Sequence, residues 1–163
     1  MPENAKASNG DSARLCTVIE LVSRDVILPV RHSVLRPDLP IESAMYPEDA
    51  TPEIFHLAAR DDAGAVVGCV TFFPEAYEGA AHSWRFRGMA TVAEYRSKGI
   101  GGEILEAGVA EAARRGAERV WCNGRSTAKA FYLRHGFAAL GEEFTLPPGY
   151  HPHYVFVREL RAG

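Results

Sequence analysis

Three glycines and two cations stand directly before a run whose periodicity predicts a helix, in the stretch YRSKGIGGEI at residues 95–104. Glycine in a helix costs about 1 kcal/mol relative to alanine, so three glycines at a helix start need a reason. The first N–H groups of a helix have no internal partner and carry partial positive charge, which suits them to a diphosphate. The alternative is a plain glycine-rich turn with exposed cations. The residues concerned are Gly99, Gly101, Gly102, Arg96 and Lys98.

Two common phosphate-binding motifs do not fit this stretch. A Walker loop ends in Gly-Lys-Ser/Thr, whereas Glu103 follows Gly102 here. The dinucleotide fingerprint needs a third glycine at position 104, which is Ile104, and places its glycines immediately after the strand. ATP, GTP and NAD are therefore poor candidates for the ligand.

The elements that must position this loop follow from hydrophobic periodicity. Apolar runs with β-forming residues predict seven strands. Three runs with helical spacing predict three helices, of which the middle one, at residues 99–115, ends at Gly116. The sequence DDAG at residues 61–64 predicts a hairpin turn. The predicted order is β-α-ββ-β-α-β-α-β-β, one mixed α/β domain. The strands are 15–21, 53–60, 65–73, 83–92, 118–123, 137–144 and 153–160, and the other helices are 23–37 and 126–136.

The strand before the glycine-rich loop alternates over residues 83–92. We expect Trp84, Phe86, Ala90 and Val92 on one face, and Arg85, Arg87, Met89 and Thr91 on the other. In the helix that follows the loop, one stripe is apolar and predicts the face that packs on the sheet. Its members are Ile100, Ile104, Leu105, Val109 and Ala112.

The pattern Arg96-x-x-Gly99-x-Gly101, placed after RGMATV, resembles the signature Arg/Gln-x-x-Gly-x-Gly/Ala of the GNAT superfamily of acyl-CoA N-acyltransferases. A second stretch, STAKAFYLRHGF at residues 126–137, is similar to a later helix of that family. The resemblance covers roughly residues 54–160. It implies an α/β fold: a single-domain, mixed, mainly antiparallel sheet flanked by helices and splayed where the cofactor enters. We expect this domain at residues 14–163, after a flexible tail at residues 1–13.

The resemblance also implies a site for acetyl-CoA as the acyl donor. The pantetheine arm would pair with the backbone of the strand before the loop, and the pyrophosphate would lie on the amides of the loop and helix start. The strand residues are Met89, Ala90, Thr91 and Val92. The loop residues are Arg96, Ser97, Lys98, Gly99, Ile100, Gly101 and Gly102. Asn123, Ala128 and Phe131 would flank the other side of the cofactor.

In this family an amine attacks the thioester carbonyl directly, without a covalent enzyme intermediate. Tyr132 matches the tyrosine that gives a proton to the departing thiolate, and a phenol, with an ordinary pKa of about 10, is protonated at neutral pH. The alternative for Tyr132 is a packed core residue. The resemblance implies a primary amine of a small molecule or peptide as acceptor. A non-catalytic acyl-CoA-binding sensor or interaction module is the second reading, and an unrelated phosphoester-binding protein is the third.

The general base is not evident, because Arg85 stands where many relatives carry a carboxylate, and arginine cannot accept a proton. Loose candidates for the base are Glu75, Glu143, His151 and His153. Arg85 and Arg87 could instead hold a carboxylate of the acceptor, with His153 beside it. The alternative is that each arginine pairs with a neighbouring acid.

Composition excludes several other classes of function. The chain has 163 residues, a net charge of −3 and a pI of about 6.1, so no basic field predicts nucleic-acid or membrane partners. No apolar run approaches the roughly 20 residues that span a bilayer, and the polar start lacks the core of a secretory signal.

Cys16, Cys69 and Cys122 have neither disulfide nor zinc spacing, which predicts buried thiols in a reducing cytoplasm. His151 and His153 lack a third ligand nearby, so we expect no metal, and the proline between them predicts a turn. Sequence leaves the oligomeric state open, a homodimer included.

Overall fold

The computed structural model describes residues 17–147 and 151–160. Within them, seven strands and three α-helices follow one another in the predicted order. They are β1 (Val18–Val22), α1 (Arg24–Leu35), β2 (Phe55–Arg60), β3 (Val66–Pro74), β4 (Ser83–Thr91), α2 (Ile100–Arg114), β5 (Arg119–Arg125), α3 (Lys129–Arg134), β6 (Ala138–Leu146) and β7 (His151–Glu159). Short 3-10 turns occupy Ile41–Ala44, Pro47–Ala50, Ala93–Tyr95 and Ser126–Ala128.

All seven strands form one sheet in the order β1-β2-β3-β4-β5-β7-β6. Every neighbouring pair is antiparallel except β4 with β5, which is parallel. That parallel pairing is short, running from Ser83 opposite Arg119 to Arg85 opposite Trp121. Beyond it β4 continues to Thr91 and β5 to Arg125 without pairing to each other. The sheet is therefore mixed, mainly antiparallel and splayed between β4 and β5, as expected.

Helix α2 packs on one face of the sheet with the apolar stripe that the sequence predicts. Ile100, Ile104, Leu105, Val109 and Ala112 are all buried in the main core. Helix α1 covers the other face of β2, β3 and β4 and forms a smaller cluster. No helix in the described residues is long and apolar enough to cross a bilayer.

Strand β4 contains a β-bulge at Gly88 that changes which residues share a face. The register with β3 moves between Cys69, opposite Ala90, and Thr71, opposite Arg87, so Gly88 and Met89 together face one residue of β3. Gly88 has φ of 68°, which glycine adopts readily.

The predicted alternation along β4 is therefore wrong. Trp84 and Phe86 lie in the core under α2, whereas Ala90 lies in the cluster under α1. Met89 packs toward the α2 side and does not share a face with Arg87, which lies opposite Thr71. Beyond the inserted residue, each side chain of β4 therefore lies on the opposite face from the one that simple alternation predicts.

Other boundaries differ by a few residues. The last predicted helix begins as a 3-10 turn, Ser126–Ala128, before α3. The predicted turn at His151-Pro-His153 is wrong, because these residues already pair with β6 as the start of β7. The predicted tail at residues 1–13 and Cys16 lie outside the described residues. Cys69 and Cys122 are buried free thiols, as expected.

Candidate active site

The glycine-rich loop turns the chain from β4 into α2. Gly99 is the N-cap of α2 with φ of 85° and ψ of 0°, a left-handed conformation in which a side chain is strained. The first intrahelical bond is donated by Glu103 N–H to the Gly99 carbonyl, over 3.1 Å. The amides of Ile100, Gly101 and Gly102 precede that bond, so they have no acceptor within the helix. These backbone donors are the ones that the sequence predicts at the start of this helix.

Two side chains hold the loop in place. Arg96 donates its Nε–H to the carbonyl of Thr91 over 3.2 Å, which ties the loop to the end of β4. Tyr95 donates its hydroxyl to Asp61 in the β2–β3 turn over 3.0 Å. That hydrogen bond raises the pKa of Tyr95, and hydrogen bonds lower the pKa of Asp61. Both contacts tie the loop to neighbouring parts of the sheet, and both side chains line the cleft beside it.

A cleft of about 830 Å³ opens between this loop, the first turns of α2 and helix α3. Seven of the predicted cofactor-binding residues line it: Thr91, Arg96, Ser97, Gly99, Gly101, Gly102 and Phe131. The others are not among the lining residues: Met89, Ala90, Val92, Lys98, Ile100, Asn123 and Ala128. The Ile100 side chain is buried in the main core and the Ala90 side chain is buried under α1. For these two, the backbone alone is available to a ligand.

Each of the three glycines in this loop is explained by a different feature of its surroundings. Gly99 is required by its positive φ. A Cβ on Gly101 would be 3.7 Å from Thr91 Oγ1, an ordinary contact, so its absence keeps the cleft open. A Cβ on Gly102 would be 2.8 Å from His135 Nε2, which is too close. His135 therefore packs directly on the first turn of α2, a contact that the sequence pattern did not indicate.

Tyr132 lies on α3 inside an aromatic cluster. Its ring stacks on Phe156 at 4.5 Å between centroids and approaches Phe86 at 6.2 Å. A Cβ on Gly124 would be 2.6 Å from the ring, so β5 needs a glycine beside it. Burial, together with a hydrogen bond to the Cys122 thiol, raises the pKa of Tyr132 well above 10. The phenol is therefore fully protonated at neutral pH.

Arg85 and Arg87 are both paired with acids on the β4 face opposite α2. Arg85 lies 3.4 Å from the Glu75 carboxylate and 5.1 Å from the Trp121 ring. Arg87 lies 2.9 Å from the Glu48 carboxylate. The pairs are partly exposed, since 18% of the Arg85 side chain and 27% of the Arg87 side chain reach solvent. The arginines stand side by side along the strand, and each is paired with one partly exposed carboxylate.

A buried arginine that sequence reasoning missed holds the segment next to Arg87. Arg31 on α1 is fully buried and donates to both oxygens of Asp49, at 2.9 and 3.2 Å. It also donates to the Ala44 carbonyl at 2.7 Å and to Thr71 Oγ1 at 2.6 Å. Burial acts to raise the pKa of Asp49, but these bonds to Arg31 and one from the Tyr46 amide lower it overall. The two 3-10 turns at residues 41–50 are thereby fixed against the sheet.

The loose candidates for a general base are spread over three places. Glu75 pairs with Arg85, while Glu143 accepts a hydrogen bond from Ser126 at 2.6 Å. His151 and His153 lie at the start of β7, where His153 stacks on Phe144 at 6.0 Å. Residues 17–147 and 151–160 contain no group of three His, Cys, Asp or Glu side chains that could hold a metal.

Comparison with known proteins agrees with this geometry. Residues 52–139 match the family model described as an acetyltransferase (GNAT) domain. The chain is 33% identical over 146 residues to the uncharacterized N-acetyltransferase YitI of Bacillus subtilis (strain 168), covering 88% of this chain and 97% of the relative. The chain belongs to the GNAT family, and it is an acyl-CoA-dependent N-acetyltransferase.

Solved structures share the fold at low sequence identity. A GCN5-related N-acetyltransferase from Kribbella flavida is 22% identical with a TM-score of 0.67, covering 88% of this chain and 98% of that one. An aminoglycoside 6'-N-acetyltransferase complexed with coenzyme A is 16% identical with a TM-score of 0.69, covering 90% of this chain and 99% of that one. At these identities the likeness extends to the fold alone.

Proposed function

We propose that the enzyme moves an acetyl group from acetyl-CoA to a primary amine by direct transfer. The observation that carries the proposal is the cleft beside the left-handed Gly99, where first-turn amides of α2 face open space. A diphosphate suits such amides because they offer hydrogen-bond donors and the positive end of the helix dipole. Ser97, Gly99, Ile100, Gly101 and Gly102 supply backbone donors, with Arg96 and Lys98 adding positive charge.

The pantetheine arm is proposed to pair with the free edge of β4. That edge loses its partner beyond Arg85, because β5 diverges there, and peptide-like groups of the arm can take its place. The residues concerned are Met89, Ala90, Thr91 and Val92. Asn123, Ala128 and Phe131 are proposed to flank the arm from the other side of the splay.

Tyr132 is proposed as the general acid. The amine nitrogen attacks the thioester carbonyl carbon, the C–S bond breaks, and the sulfur takes the phenolic proton of Tyr132. The role is supported by the match of Tyr132 to the family tyrosine and by the phenolic proton, which is present at neutral pH. The amine proton leaves through water to a base that is still unassigned. Glu75, Glu143, His151 and His153 are candidates for it.

The acceptor is proposed to carry a carboxylate beside its amine. Arg85 and Arg87 present two guanidinium groups on one strand, and the buried Nε of Arg85 has no hydrogen-bond partner in the described part of the chain. A planar fork matches a carboxylate, which can exchange with the partly exposed Glu75. His153 is proposed to line the same acceptor site. Amino-acid-like acceptors are favoured over polyamines.

Release of free CoA across acidic, neutral and basic amines tests the reaction and the acceptor together. We expect turnover with carboxylate-bearing amines, and a preference for polycations would contradict the role of the arginines. A protein that binds acetyl-CoA but turns over no amine would favour the alternative, a sensor or interaction module. CoA at about a hundredfold excess over its Kd should stabilise the fold by about 2.7 kcal/mol and raise the Tm by roughly 5–10 °C, unlike ATP or NAD.

Location and assembly complete the proposal. A cytoplasmic enzyme is supported by the free thiols of Cys69 and Cys122, which are typical of a reducing compartment. A homodimer is proposed as the assembly, and sedimentation velocity tests it through the mass of the particle in solution.

A further inference from the structure

The imidazole of His135 lies on the wall of the cofactor cleft, next to the first turn of α2. It is the residue after the last turn of α3, and its ring packs on Phe131 at 4.8 Å between centroids. Its Nε2 is the atom that a Cβ on Gly102 would meet at 2.8 Å. A ligand on the amides of Gly101 and Gly102 would therefore have Nε2 as a neighbour.

The other ring nitrogen is held by a carboxylate. His135 Nδ1 lies 2.8 Å from Glu106 Oε2, and an acceptor there places a proton on Nδ1. Arg158 contacts the same carboxylate at 3.0 and 3.1 Å and donates to the His135 carbonyl at 3.1 Å. The hydrogen bonds from His135 and Arg158 outweigh the opposing effect of burial and lower the pKa of Glu106. A carboxylate thus faces the imidazole at all moderate pH values.

Neutral His135 with its proton on Nδ1 offers only a lone pair at Nε2, which repels a phosphate oxygen. The imidazolium instead donates from both nitrogens, to Glu106 on one side and to the cleft on the other. The other charged groups around the cleft are Glu103 on α2, Arg134 on α3, Arg158 on β7 and Arg96 in the loop. Glu106, which also lines the cleft, is the acid in direct contact with the ring and favours a charged imidazole.

We propose that His135 is a proton-dependent ligand of the CoA diphosphate, so that cofactor binding takes up a proton at Nε2. The proposal rests on the proposed CoA site and adds a residue of this chain to it. Because the complex holds more protons than the free protein, the affinity for the diphosphate is highest at low pH and falls as the imidazolium is lost.

Calorimetric titration with dephospho-CoA in buffers of different ionisation enthalpy measures this uptake. Dephospho-CoA keeps the diphosphate but lacks the 3'-phosphate, whose own titration near neutral pH would obscure the result. We expect a fraction of a proton taken up per ligand by the wild type at about pH 7, and none by His135→Gln. We also expect the His135→Gln variant to bind about tenfold more weakly at about pH 6 and nearly as well as the wild type at about pH 9.

Two further variants control the measurement. His82→Gln removes another exposed histidine, which lies before β4, and should leave the uptake unchanged. Glu106→Gln keeps the shape of the contact but removes its charge, and should reduce the uptake. Binding without proton uptake in the wild type overturns the inference, as does uptake that persists in His135→Gln. If neither CoA nor dephospho-CoA binds at all, the proposed function itself is wrong.

Discussion

Tyr132, the proposed general acid, is buried to an extent that no motif reveals. The phenol is surrounded by Phe86, Phe137 and Phe156, and its hydroxyl is bonded to the Cys122 thiol. Burial also raises the pKa of Cys122 to about 12, so the neighbour is a neutral thiol and not a competing anion. A proton donor in such surroundings loses no proton to solvent at physiological pH.

Replacement of Tyr132 by phenylalanine should lower kcat about a hundredfold, because general acid catalysis contributes at least that much. The Kd for acetyl-CoA should change little, since the ring and its stacking on Phe156 are retained. Steady-state rates and a CoA titration separate the two effects. Tyr154→Phe is the matched control on β7 and should leave kcat unchanged. Undiminished kcat in Tyr132→Phe would remove the role.

The elements show where sequence patterns are sufficient and where they fail. The stripe on α2 is local, so Ile104 and Leu105 could be assigned to the core from spacing alone. The bulge at Gly88 could not be predicted, because an inserted residue is defined only against the partner strand β3. The fixed segment at residues 41–50 was equally hidden, because its anchor, Arg31, lies on a different element.

The conformation of Gly99 predicts a separable effect on binding. Gly99→Ala and Gly116→Ala both force alanine into a left-handed conformation, at φ of 85° and 101°, with nothing within 4 Å of the new Cβ. Each should destabilise the fold by about 1 kcal/mol in a urea titration. Only Gly99→Ala should weaken CoA binding, because Gly116 lies beyond the other end of α2. Equal CoA affinities for the two variants would argue against the first-turn site.

The segment at residues 41–50 should respond to acid through His56. Burial, and then the charge of Arg31, lowers the pKa of His56 from 6.5, and its Nδ1 lies 2.7 Å from Thr71 Oγ1, which Arg31 also contacts. Just below pH 6.5, the unfolded chain therefore binds a proton at His56 that the folded chain does not bind. The contribution of neutral His56 to the free energy of unfolding is present in full above about pH 6.5. It is lost as the pH falls through the lower pKa of His56 in the folded state.

His56→Gln should flatten the dependence of the Tm on pH just below about 6.5, while Asp49 continues to weaken the fold at still lower pH. The lowered pKa of Asp49 means that its stabilisation is present above about pH 4 and is lost only as the carboxylate is protonated. Thermal melts at closely spaced pH values measure both steps. An unchanged slope below pH 6.5 in His56→Gln would assign the acid response to another group.

At the scale of the whole molecule, the main feature is a sheet that opens between β4 and β5. Strands β4 and β5 separate after Arg85, helix α2 begins beside the opening, and helix α3 carries Tyr132, whose ring is buried against Phe86 and Phe156. The order of elements and the mixed sheet could be predicted from the sequence, since both follow from local patterns and one family signature. The pairing of Arg85 with Glu75 and of Arg87 with Glu48 could not, because it depends on how separate elements meet in the fold.

A crystal structure of the enzyme with CoA measures the central claim directly. We expect the diphosphate oxygens within about 2.7–3.2 Å of the amides of residues 97–102, and the thiol on the Tyr132 side of the splay between β4 and β5. A diphosphate bound elsewhere on the protein, with the cleft beside Gly99 empty, would contradict the account.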